Sequence, residues 1–134
     1  MIKYTKLPAT IEKLIPLAVN YLQSHPGVVF AYLFGGLARG KPQPLSDVDI
    51  AVYLNKGSNI AENKLDILGR LIDILETDEI DLVVLNTADL PLVINILKNK
   101  EILVDNNPFD RHIFESLAMR KYKDAILSFL KSAQ

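Results

Sequence analysis

The chain has 134 residues, 49% hydrophobic and 23% charged, with 15 basic against 16 acidic residues and a net charge of −1. This is the composition of a single folded domain, expected to span 1–134, and not of a disordered or fibrous chain. The absence of cysteine excludes disulfides, zinc–thiolate sites and thiol nucleophiles, and the balanced charge argues against an extensive nucleic-acid surface, which needs clustered Lys and Arg.

The first residues, Met1-Ile2-Lys3-Tyr4-Thr5-Lys6, lack the apolar core of a signal peptide. The longest apolar run, Val28–Phe34, is seven residues long and too short to cross a bilayer. No membrane association and a cytoplasmic location are therefore expected. Ile11, Leu14, Ile15, Ala18, Val19 and Leu22 follow helical spacing, with Thr10 placed to cap the helix. Pro16 within this pattern predicts either a later start or a bend. His25-Pro26-Gly27 ends the helix, and Val28–Phe34 reads as an apolar strand. Residues 35–46 hold three glycines and two prolines and read as a loop.

A second strand is expected over residues 47–54. Asn59 and Glu62 have capping-box spacing, and Ala61, Leu65, Leu68, Ile72 and Leu75 mark the apolar face of the helix that follows. Residues 80–86 read as a strand carrying Asp81 near its start. Residues 87–97 read as a helix whose Pro91 falls in the first turn, where the missing N–H has no partner to lose. A short strand is expected over 101–104. A long helix should then run from Pro108 to about Leu130, with Phe114, Ala118, Tyr122, Ala125 and Phe129 along one side. This element order predicts an α/β or α+β fold, a mixed β-sheet backed by helices.

The chemistry gathers in Leu33-Phe34-Gly35-Gly36, then ten residues, then Asp47-Val48-Asp49-Ile50-Ala51-Val52. In a strand, residues i and i+2 share a face, so Asp47 and Asp49 point the same way while Val48, Ile50, Val52 and Leu54 bury the other. Two carboxylates about 6 Å apart repel by roughly 3 kcal/mol at an effective dielectric of about 20. A cation between them relieves that repulsion, and all-oxygen ligands favour Mg²⁺ or Mn²⁺. Glycines at 35 and 36 let backbone N–H groups approach a phosphate that a Cβ would hold off. Asp81 interrupts an apolar strand, which is unfavourable unless the carboxylate finds a partner or an ion. If its strand lies beside that of Asp47 and Asp49, three carboxylates converge.

These residues resemble the motif of the DNA polymerase β-like nucleotidyltransferases, and the short length with Ser46-Asp47-Val48-Asp49 looks most like the minimal nucleotidyltransferases (MNT). The resemblance implies the polymerase β-like nucleotidyltransferase fold, with Asp47, Asp49 and Asp81 as metal ligands and Asp81 near the attacking hydroxyl. It implies transfer of a nucleoside monophosphate, AMP from ATP, to an acceptor hydroxyl with release of pyrophosphate. Gly35, Gly36, Arg39 and Ser46 are the expected nucleotide-binding residues. Arg39 and Lys41 could neutralise phosphate charge or be solvated, and Ser46 could bond a phosphate or cap the turn. Many members carry Ser as the second residue of the glycine pair, where this chain has Gly36. MNT proteins often pair with helical HEPN proteins as antitoxin and toxin, some adding AMP to a toxin tyrosine. That implies an AMPylating antitoxin; a short helical protein with an Arg-x4–6-His motif in the neighbouring reading frame would settle the partner class, and an isolated gene would weaken it. Two alternatives stand beside it: a non-catalytic module masking its partner through the last helix or another apolar face, and a dimeric transferase acting on an aminoglycoside-like small molecule. His25 and His112 lack metal-ligand spacing and are expected at the surface; the five tyrosines are expected to pack. Arg111, Arg120, Lys121 and Lys123 make the last helix locally basic.

Overall fold

The computed structural model describes residues 11–38 and 47–133. Its centre is β1 (Val28–Phe34), buried along its whole length. A strand covered on both faces needs apolar side chains at every position, which is why its sequence shows no alternation. β2 (Val48–Leu54) and β4 (Glu101–Asp105) flank β1, both antiparallel to it, and β3 (Ile80–Val84) adds to β2 in parallel, giving the order β3-β2-β1-β4. The sheet is mixed, as the element pattern predicts.

Helices cover both faces. α1 (Ile11–Ser24) and α3 (Ile60–Leu75) pack with an aliphatic layer that includes Val48, Ile50, Val52 and Leu54, each fully buried. α4 (Leu90–Lys98) and α5 (Pro108–Ser132) lie on the other face, over Phe30, Tyr32, Phe34 and Ala51. Between β1 and β2, residues Gly35–Ala38 form a single helical turn, α2, where the glycine-rich composition predicts only loop.

Several boundaries and faces differ from the sequence expectation. α1 begins by Ile11 and runs through Pro16, so it does not start late. Pro16 lies on an exposed side of the second turn, where it forgoes one hydrogen bond without meeting packed neighbours. In α3 the buried stripe is Ile67, Leu71 and Leu75, and Leu65 is 73% exposed. Two apolar stripes are available on this helix, and contact with α1 and the sheet selects the one at 67, 71 and 75. The cap of α3 is as expected: Asn59 accepts a hydrogen bond from the Glu62 N–H at 3.0 Å. β3 stops at Val84, and Asn86 continues the pairing through its side chain, accepting from Leu54 N–H and donating to Leu54 C=O, both at 2.9 Å. α4 starts only at Leu90, capped by Asp89. In α5, Phe114, Ala118 and Tyr122 pack, but Ala125 and Phe129 are exposed. His25 is also not a surface residue: its side chain is 11% exposed, its Nδ1 accepts from Gly27 N–H, and its Nε2 lies 3.6 Å from Asp66.

Candidate active site

The site is built by strand register. Along β2 the aliphatic residues face α1 and α3, so Asp49 falls on the alternate face, and Asp47 directly precedes the strand. Asp49 pairs in register with Asp81 of the parallel strand β3 and, on its other side, with Phe34 of β1. Neighbouring strands lie about 4.8 Å apart, so Asp49 and Asp81 stand side by side on one face at one end of the sheet. The strand of Asp81 lies beside that of Asp49, as the convergence expected from sequence requires.

Gly35 follows Phe34 directly. Its φ is +72°, and a Cβ built on it would overlap Asp49 Oδ2. Two independent constraints therefore require glycine here, the left-handed backbone and the close approach of the Asp49 carboxylate. Gly36 lies in the same helical turn, half-buried. Arg39 and Ser46, also expected at the site, lie outside the described residues, as does Lys41.

Asp47 and Asp49 are half-buried, whereas Asp81 is exposed. That corrects one step of the sequence reasoning. β3 is an edge strand, so water solvates Asp81 and its place in an apolar run does not by itself demand an ion. What ties it to the site is its register with Asp49. Among the described residues no three acidic or imidazole side chains close into a metal-holding group. What the fold supplies is the shared face of Asp49 and Asp81. An oxygen-only donor set beside a glycine that admits no Cβ suits a hard divalent cation with its phosphate ligands.

Some contributors are not evident from sequence. Glu79, two residues before Asp81, is only 4% exposed, and its carbonyl accepts the Val48 N–H at 2.8 Å, locking β3 to the start of β2. On the same face, Tyr32 is fully buried and donates its hydroxyl to Glu115 of α5 at 2.6 Å. Arg111 Nε donates to Asp105 at 2.9 Å, Arg111 Nη1 reaches Glu115 at 3.3 Å, and Lys100 Nζ lies 3.7 Å from Glu115. Arg111 is therefore a structural clamp on α5 and not part of a free basic face. Burial, followed by the hydrogen bond to Glu115, pushes the Tyr32 phenol well above the usual tyrosine range. No sequence pattern links Tyr32 to Glu115, because the pairing depends on how α5 crosses the sheet.

A cavity of ≈ 770 Å³ opens on the same face, lined by Tyr53, Asn86, Val93, Phe114 and Lys121 among others. It lies at the opposite end of β2 from Asp49, about 13 Å away by strand rise, and is not the carboxylate site.

With this geometry in view, the relatives are informative. The polymerase beta nucleotidyltransferase family matches residues 18–109, more than half of the chain and all of the strands that carry the aspartates. No curated protein matches significantly. Among solved structures, a chain of a toxin–antitoxin complex with AMP-PNP superposes with a TM-score of 0.66 at 24% identity, covering 87% of this chain and 98% of that one. A chain from the complex of tri-AMPylated Shewanella oneidensis HEPN toxin with MNT antitoxin gives 0.62 at 22% identity, covering 90% and 98%. A structure described as a minimal nucleotidyltransferase gives 0.57 at 25% identity, covering 68% and 93%. The match over β1, β2 and β3, together with Asp49 and Asp81 side by side behind Gly35, shows that this chain belongs to the polymerase beta nucleotidyltransferase family.

Proposed function

We propose that the chain is a metal-dependent nucleotidyltransferase that moves AMP from ATP to a tyrosine hydroxyl of a HEPN-family toxin and so acts as its antitoxin. The observation that carries this reading is the pairing of Asp49 with Asp81, with Asp47 two residues before Asp49 in the chain. Asp47, Asp49 and Asp81 would hold Mg²⁺, or Mn²⁺ in its place. When bound, the cation neutralises triphosphate charge and stabilises the charge that develops on the transferring group. Gly35 and Gly36 keep the approach to the carboxylates open to phosphate oxygens. Asp81, the most exposed of the three, would accept the proton of the acceptor hydroxyl as its oxygen attacks the α-phosphorus. The bond from that phosphorus to the bridging oxygen breaks, and pyrophosphate leaves.

The partner class is supported by relatives: one similar structure is a toxin–antitoxin complex with AMP-PNP, and another contains a tri-AMPylated HEPN toxin. Incubation with a HEPN-family toxin from the same genome, ATP and Mg²⁺ should raise that protein's mass by whole AMP units. An unchanged mass with folded proteins and metal present would overturn the reading. A second reading, steric masking without transfer, has one observation in its favour, the exposed apolar residues of α5. Replacing both Asp47 and Asp49 with Asn separates the two: neutralisation fails with the complex intact if transfer matters, and persists if masking suffices.

A further inference from the structure

We infer that the C-terminal half of α5 is the docking arm for the protein acceptor, recognising a helical partner through an apolar groove rimmed by acidic residues; this rests on the acceptor being a protein. α5 is 25 residues long, yet Ala118 is its one buried residue and Tyr122 the last that packs against the fold. Residues 123–133 are exposed throughout. About 15 Å of helix thus extends without tertiary support, and helix in that condition is marginal in water.

Its side chains are not those of a solvated tail. Met119, Ile126, Phe129 and Leu130 are 47%, 41%, 70% and 53% exposed. With Tyr122, the residues 119, 122, 126 and 129 fall at alternating spacings of three and four, which places them in one stripe along the helix. A stripe of this kind seats in an apolar groove of a partner. Around it, residues 119–133 carry Arg120, Lys121, Lys123 and Lys131 against the single acid Asp124. The rest of the chain must therefore be net acidic, since the whole carries −1. A second copy of the arm would oppose cations to cations, so charge complementarity selects an acidic partner over self-pairing.

Tyr122 has Lys98 Nζ 5.5 Å from its ring centre, and Lys98 ends α4 just before β4. β4 begins at Glu101, paired with Leu33, whose neighbour Phe34 pairs with Asp49. The arm thus leaves the fold beside the α4–β4 junction, and β1 separates β4 from the strand that carries Asp49.

The test uses the full chain and a HEPN-family toxin from the same genome, with affinity measured by calorimetry. Ile126→Lys with Phe129→Lys should weaken binding at least about tenfold, and Arg120→Glu with Lys123→Glu should weaken it and flatten its salt dependence. Leu65→Lys, equally exposed on α3, should leave affinity unchanged, and circular dichroism should show all variants folded. Unchanged affinity in the arm variants, or no binding by the unaltered chain, would overturn the inference. So would a chain that is dimeric alone and made monomeric by the arm variants. Because affinity is read without catalysis, binding lost in the arm variants while the unaltered pair shows no AMP transfer would retain the docking arm and remove the transferase reading.

Discussion

The two faces of the sheet are built on different principles. The face under α1 and α3 is aliphatic, with Val48, Ile50, Val52, Leu54, Ile67, Leu71 and Leu75 all fully buried. The face under α4 and α5 is aromatic and polar: Phe30 stacks on Tyr53 with ring centres 4.8 Å apart, Tyr32 bonds Glu115, and Asp49 and Asp81 occupy one end. One face holds the strands in register; the other uses that register to place charge. Alternation along β2 makes the division possible, because each aliphatic residue that anchors the strand fixes where its neighbouring aspartate points.

That comparison can be broken in several places. The largest effect is expected from Asp49→Asn, which should lower AMP transfer about a thousandfold or more, by the scale of losing a positioned electrostatic group, while the urea midpoint stays within error or rises. A large loss of stability instead would make Asp49 part of the scaffold. Leu71→Ala, on the aliphatic face, should show the opposite pattern: about 2–5 kcal/mol of stability lost, with transfer unchanged for protein that remains folded.

Gly35→Ala tests the junction between the faces. Gly57 has a similar φ of +84° but no heavy atom within 4 Å of a built Cβ, so it isolates the backbone cost. Gly57→Ala should cost about 1 kcal/mol. Gly35→Ala should cost more and also suppress transfer, since the added methyl displaces the Asp49 carboxylate. Equal stability costs with full activity would contradict the close approach.

The smallest effect concerns Tyr32. Tyr32→Phe should cost about 1 kcal/mol by removing the hydrogen bond to Glu115. Because the folded-state pKa of Tyr32 is raised, the folded protein holds this proton more tightly than the unfolded chain. Its stabilisation is complete below the ordinary tyrosine value of about 10 and declines as pH rises through the higher folded value. Denaturation followed from pH 8 to 11 should show a steeper alkaline loss in the unaltered chain than in Tyr32→Phe; parallel curves would count against the buried phenol.

Much of this was legible in the residues. The seven-residue apolar run of β1, the Asn59 cap, the Pro91 start of α4 and the alternation of β2 that turns Asp49 away from the aliphatic face follow from local stereochemistry, which a short stretch of chain carries within itself. Where local signals were ambiguous, the reading failed. α3 offers two overlapping apolar stripes, and of the expected one Ala61 and Leu65 face solvent while Leu68 and Leu75 pack; Ala125 and Phe129 continue the spacing of α5 beyond the point where the fold supports it. Asp81 interrupts an apolar run, but β3 is an edge strand and imposes no burial cost there.

The sequence by itself determined which residue types could meet: glycines that admit a phosphate, carboxylates two apart, apolar alternation that orients them. Only the tertiary structure decided that β3 pairs with β2 in parallel with Asp81 opposite Asp49, that Gly35 lies against that carboxylate, and that α5 leaves the fold after Tyr122. These are contacts between segments distant along the chain, and strand register and helix crossing are set by the packing of whole layers, which no local pattern encodes.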